Sequence, residues 1–110
     1  MRLVIDNEHS LSKTLAIFQG DPTMVLTISP TPSMPKQVCN YLYERQIQSL
    51  IVEGGAHVLQ QFIDEELWDE ARIFVGSPQF FEGLKAPQLR GNLITTQEIE
   101  GDYLFVFKRD

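Results

Sequence analysis

Cysteine, basic residues and long apolar runs are all scarce in this chain of 110 residues. The single cysteine, Cys39, excludes an internal disulfide framework and a metal site built from several cysteines. Nine basic against fifteen acidic residues give a net charge of −6, which suits neither nucleic acid nor an anionic membrane as a partner. No apolar run approaches the roughly 18 residues of a membrane span, and the first residues lack the form of a signal peptide. We therefore expect a cytoplasmic protein without nucleic-acid or membrane partners.

The composition that remains is typical of one globular domain covering residues 1–110. Hydrophobic residues make up 43% and charged residues 22% of the chain, a balance that favours a packed fold over a disordered one. Seven Phe, three Tyr and one Trp can fill a core, although a domain of this size buries modest surface.

The order of the apolar segments predicts an α/β fold. We predict strands at 3–5, 23–28, 49–52 and 71–75, and helices at 35–47 and 58–67. The succession of strand, helix, strand and helix over 24–67 is typical of a parallel sheet with crossover helices. Two last strands, at 93–99 and 103–108, flank Gly101 and predict an antiparallel hairpin. The strand at 3–5 has no crossover helix before it, so either another chain covers its edge or the chain is the carboxy-terminal part of a longer domain, which is the alternative we expect.

The best candidate for a site is the run Glu53-Gly54-Gly55-Ala56-His57. Ligands of open α/β sheets lie outside the carboxyl ends of the strands, and here a predicted strand turns at once into a helix. The N–H groups and the dipole of a helix N-terminus suit a phosphate, and glycine permits its close approach. A carboxylate repels phosphate, so Glu53 should face another part of the ligand. A simple strand-to-helix turn is the alternative interpretation.

Five motifs in order resemble the reductase domain of the bifunctional riboflavin-biosynthesis deaminase-reductase. They are Arg2-Leu3-Val4-Ile5-Asp6, Ile51-Val52-Glu53-Gly54-Gly55-Ala56, Phe62-Ile63-Asp64, Leu67-Trp68-Asp69-Glu70-Ala71 and Glu82-Gly83-Leu84-Lys85-Ala86-Pro87. The resemblance implies a dihydrofolate-reductase-like fold, with a mostly parallel sheet, flanking helices and a carboxy-terminal antiparallel hairpin. It also implies NADPH-dependent reduction of the ribosylamino group of 5-amino-6-(5-phosphoribosylamino)uracil to a ribitylamino group.

Site residues follow from the same resemblance. It implies that Glu53 contacts the substrate and that Asn7 lines the cofactor site. The cofactor-binding stretch that it implies consists of Gly55, Ala56, His57, Val58, Leu59, Gln60 and Gln61. No residue is assigned as the catalytic acid, and no zinc cluster of a deaminase half is present in the sequence.

Two departures from the family pattern bear on function. Phe81 stands where many relatives carry glycine, which affects the loop before Lys85. The family domain is also longer, and its first half precedes the strand at 3–5. The alternative to a reductase is therefore a folded, catalytically incomplete piece that acts in an oligomer, which we expect to be a homodimer. A related pteridine-type reductase of the same fold is a further alternative.

Overall fold

Two separate sheets, two α-helices and a 3-10 helix make up the part of the chain that the computed structural model describes, residues 1–76 and 86–110. The chain divides into two units, Met1–Ile47 and Gln48–Asp110, each with its own sheet. The mixed α/β content that the sequence predicts is confirmed.

The first unit contains a pair of parallel strands, β1 (Arg2–Ile5) and β2 (Thr23–Leu26). A short 3-10 helix (Ala16–Phe18) lies in the connection between them, and the guanidinium of Arg2 donates one hydrogen bond to the carbonyl of Ile17 at 3.0 Å. After β2 comes α1 (Met34–Glu44), which buries Pro35, Val38 and Leu42.

The second unit contains α2 (Ala56–Asp64) and a three-stranded antiparallel sheet. Its strands are β3 (Glu70–Val75), β4 (Gly91–Ile99) and β5 (Asp102–Arg109), in the spatial order β3-β5-β4. Phe62 of α2 is the buried apolar residue of this unit among the described residues.

The predicted hairpin is confirmed as β4 and β5. Ile99 pairs with Asp102, so the turn consists of two residues, Glu100 and Gly101. Both have positive φ, 49° and 87°, as a type I′ turn requires. Glycine adopts this conformation without steric cost, which explains why Gly101 marks the turn in the sequence.

A second glycine of this sheet, Gly91, is required because neighbouring atoms leave no space for a side chain. A Cβ atom at Gly91 would lie 2.6 Å from the backbone oxygen of Lys108 and 3.0 Å from the ring of Trp68. Trp68 is also bonded to the end of β5, because the Arg109 guanidinium donates a hydrogen bond to the Trp68 carbonyl at 2.7 Å. Side chains larger than hydrogen therefore do not fit where β4 begins.

Two expectations differ from the structure. The predicted strand at 49–52 is wrong: these residues have no ladder partner among the described residues, and Ile51 is 85% exposed. The expectation of a mostly parallel sheet is not confirmed, since parallel pairing is limited to β1 and β2 in the part of the chain described. An apolar, β-branched run such as 49–52 is compatible with a strand, but a strand forms only where a neighbouring segment provides hydrogen-bond partners.

Candidate functional site

The N-terminus of α2 presents unbonded backbone donors. Gly55 is the N-cap, and the first intrahelical bond runs from the N–H of Leu59 to the Gly55 carbonyl at 3.2 Å. No group in the described residues accepts a hydrogen bond from the N–H of Ala56, His57 or Val58. With the positive end of the helix dipole, these three N–H groups can bind an anion such as a phosphate.

The two glycines before α2 are not required by the backbone or by packing. Gly55 has φ −69° and ψ 166°, which any residue adopts, and a Cβ atom there would meet none of the described residues within 4 Å. A Cβ atom at Gly54 would make ordinary contact with Val58 at 3.5 Å. The space in front of the helix therefore stays open for a ligand to approach the backbone closely.

Later residues of the predicted cofactor stretch offer fewer donors. The backbone N–H groups of Leu59, Gln60 and Gln61 lie inside the hydrogen-bonded part of α2. The carboxamide of Gln60 is itself engaged, because its nitrogen donates to Asp64 and to the carbonyl of Gln88. Backbone donors for an anion therefore come from Ala56–Val58, and the cofactor roles of residues 59–61 stay predictions.

Glu53 lies three residues before α2, in the same unit, and is exposed. Within the described residues its carboxylate has no hydrogen-bond or ion-pair partner, and α2 has no side-chain cap at its N-terminus. No contact of Glu53 in the described residues therefore supports a purely structural role for this side chain in the turn. His57, in the first turn of α2, is exposed as well.

Asn7 lies in the other unit, directly after β1. Its side-chain oxygen accepts a hydrogen bond from the N–H of Ile28 at 2.7 Å, so it joins the chain beyond the carboxyl ends of β1 and β2. The edge of a parallel pair at which Asn7 lies is the edge where ligands of α/β sheets bind. Its predicted role as a cofactor contact stays a prediction.

Asp6 is a buried carboxylate to which the sequence assigned no role beyond its place in the first of the five motifs. It is 8% exposed, and its two oxygens accept hydrogen bonds from the N–H groups of Leu11 at 3.0 Å and Ser10 at 3.1 Å. The Leu11 N–H above all, then the N–H and hydroxyl of Ser10 and the charge of His9, lower the pKa of Asp6 although burial opposes them. A polar pair directly after a strand, followed by Ser10, is the sequence signal that could have indicated this loop cap.

We expect Asp6→Asn to destabilise the protein near neutral pH and to flatten its stability profile in acid. The folded-state pKa of Asp6 lies below its unfolded value of about 3.9, so ionised Asp6 stabilises the fold above that value. This contribution disappears as the pH falls through the folded-state pKa. Thermal melts of both proteins between neutral pH and about pH 3 measure the difference. Parallel profiles for the two proteins would contradict the prediction.

Phe81, Lys85 and the first residues of the motif at 82–87 lie outside the described residues. In the part that is described, no group of three or more His, Cys, Asp or Glu side chains could hold a metal ion. Neither helix there has the length and apolar character that crossing a membrane requires.

Comparison with known proteins identifies the family. The model of the RibD C-terminal domain matches residues 1–104. The chain belongs to this family. The resemblance inferred from the five motifs is thereby confirmed. No protein with a curated description matches the chain.

Two solved structures of RibD from Acinetobacter baumannii share the fold. Form 2 matches with a TM-score of 0.81 at 22% identity, over 97% of this chain and 37% of that chain. Form 1 matches with a TM-score of 0.79 at 20% identity, over 97% of this chain and 36% of that chain. The chain thus spans little more than a third of the length of these relatives.

Proposed function

We propose that this chain carries the cofactor phosphate-binding part of an NADPH-dependent reductase of riboflavin biosynthesis. The reaction is reduction of the ribosylamino side chain of 5-amino-6-(5-phosphoribosylamino)uracil to the ribitylamino form. The observation that carries the proposal is the open N-terminus of α2, with its unbonded N–H groups, in a chain of the RibD C-terminal domain family.

The residues at α2 fit a dinucleotide phosphate. The N–H groups of Ala56, His57 and Val58 would hold it, and the space that a Cβ atom at Gly55 would fill is open. NADPH supplies the hydride when bound, so the protein needs to bind and orient the reactants rather than provide an acid–base pair. The exposed His57 side chain lies in the first turn of α2, beside these N–H groups.

Glu53 is assigned to the substrate. Its exposed carboxylate precedes α2 and has no partner among the described residues, so it is available to accept hydrogen bonds from N–H or O–H groups of the pyrimidine and its sugar. Repulsion from the cofactor phosphates keeps a carboxylate away from the helix N-terminus itself. Cofactor and substrate are therefore assigned to adjacent stretches of one loop and helix.

Exposed apolar side chains favour a second candidate function. Ile51 is 85% and Phe74 is 68% exposed, and exposed apolar side chains mark contacts with another chain where they form one patch. We propose that the chain forms a homodimer, in which it acts either as part of a complete site or as a catalytically incomplete piece.

One experiment on the purified chain tests both candidates. We expect titration with NADPH to show weak, saturable binding, light scattering to give at least a dimer, and the chain alone to show no turnover. Absence of NADPH binding would contradict the cofactor assignment. A monomer at micromolar concentration would contradict the homodimer, and turnover by the chain alone would exclude the incomplete piece.

A further inference from the structure

A side-chain carboxamide links α2 to the segment that precedes β4. The oxygen of Gln60 accepts a hydrogen bond from the N–H of Gln88 at 2.8 Å, and its nitrogen donates to the carbonyl of Gln88 at 3.0 Å. The same nitrogen donates to the carboxylate of Asp64, one helical turn further on, at 2.8 Å. Gln60 thus pairs with both backbone groups of one residue, as a neighbouring strand would.

The hydrogen-bonding capacity of Gln60 is nearly used up by these contacts. A carboxamide has two N–H donors, and both are taken by Asp64 and Gln88. The oxygens of an ionised phosphate only accept hydrogen bonds, so a carboxamide can bind a phosphate only by donating one of its N–H groups. The backbone N–H of Gln60 lies within α2 and is likewise engaged in the helix. In this arrangement Gln60 has no donor left for a phosphate.

Residues 86–90 are joined to α2 by this pairing. They have no regular secondary structure, and the backbone of Gln88 lies outside the sheet ladder that starts at Gly91. Gln88 is exposed, and in place of water the carboxamide of Gln60 bonds both of its backbone groups. The pairing holds this segment beside the helix whose first turn offers the anion donors.

From these contacts we infer that Gln60 is a positioning residue, which anchors the 86–90 segment to α2 and supports cofactor binding without touching the cofactor. The inference rests on the proposed binding of the cofactor at α2. It removes Gln60 from the set of direct cofactor contacts, in which the resemblance had placed it. The anchor itself is independent of any ligand.

The test compares variants that break the anchor from opposite sides. Gln60→Met keeps the length of the side chain and removes its hydrogen bonds. Gln88→Pro removes the backbone N–H that donates a hydrogen bond to Gln60, and it leaves the Gln60 side chain unchanged. Gln88→Ala is the matched control, since it keeps both backbone groups that the anchor uses. We expect both anchor variants to weaken NADPH binding about fivefold or more, the change that the loss of one ordinary hydrogen bond brings. Gln88→Ala should bind as the unsubstituted chain does.

Amide hydrogen exchange provides a readout besides cofactor binding. In Gln60→Met the Gln88 amide should exchange about five- to tenfold faster than in the unsubstituted chain, because its acceptor is gone. Unchanged exchange would overturn the anchor. Gln60→Leu is the second variant should Gln60→Met fail to fold; it also removes the acceptor of the Gln88 N–H, so the same faster exchange is expected.

The remaining outcomes separate this inference from the proposed function. Weaker binding in Gln60→Met with unchanged binding in Gln88→Pro would mean that Gln60 contacts the cofactor directly, which overturns the inference. Unchanged binding in both would mean that the anchor does not support the site, which also overturns it. If the unsubstituted chain binds no NADPH, the proposed function fails and the cofactor part of the inference fails with it, while exchange at Gln88 still decides the anchor.

Discussion

A valine in place of Gly55 should abolish NADPH binding by this chain and lower its melting temperature by no more than about 4–8 °C. Gly55 has an extended backbone conformation that valine favours, and a Cβ atom there meets nothing within 4 Å in residues 1–76 and 86–110, which leaves room for the side chain. The same room lies in front of the N–H groups of Ala56 and His57, which a branched side chain would screen from a phosphate. Titration with NADPH and a thermal melt on one preparation measure both quantities.

Gly55→Ala is the matched control for Gly55→Val. Both substitutions replace a favourable N-cap residue, at a cost of up to about 1 kcal/mol, and this corresponds to about 4–8 °C in a small domain. Alanine adds one carbon and should keep measurable affinity, whereas valine should not. Equal affinity of the glycine, alanine and valine proteins would show that the turn is structural alone.

The elements with strong local signals could be predicted from sequence. The β-branched runs at 3–5 and 23–28 became β1 and β2, and the helical spacing around Val38 and Leu42 became α1. Gly101 located the hairpin because a two-residue turn needs positive φ. Helix ends were less predictable. The helices end at Glu44 and Asp64, since Gln46 and Glu66 adopt positive φ, a conformation that neither side chain signals.

Pairing between distant segments could not be predicted. Leu50 and Ile51 have strand composition, but composition contains no information about a neighbour, and these residues have none among those described. The antiparallel pairing of β3 with β5 likewise joins segments about thirty residues apart, with no shared turn to indicate their direction.

The candidate site shows the same division. The open helix N-terminus at α2 follows from a local pattern, two glycines before an amphipathic helix, and was predicted. The buried cap made by Asp6 is also local, yet a lone aspartate after a strand has many other uses. The pairing of Gln60 with Gln88 spans 28 positions and uses the backbone of one partner, so residue types gave no sign of it.

Glu53→Gln, in a full-length reductase domain that contains this chain, should lower turnover about ten- to a hundredfold and leave NADPH affinity nearly unchanged. The reason is that a hydrogen bond to a charged group contributes about 1.5–3 kcal/mol, and the proposed function assigns the carboxylate to the substrate. Its melting temperature should not change, because Glu53 is exposed and has no partner in the described part of the chain. Kinetics, NADPH titration and a thermal melt of the same preparation give the three values.

Glu98→Gln serves as the control for loss of one negative charge, since Glu98 is an exposed residue of β4 in the same unit. It should change none of the three quantities, because a surface charge in β4 has no assigned ligand. A Glu53→Gln protein with a lower melting temperature and unchanged turnover per folded molecule would show that the carboxylate stabilises the turn instead. A stable and fully active Glu53→Gln enzyme would remove Glu53 from the site, and the substrate would then need another acceptor near α2. If Glu53→Gln lowered both NADPH affinity and turnover, the carboxylate would contact the cofactor. We do not expect this result, because a carboxylate and the cofactor phosphates repel each other.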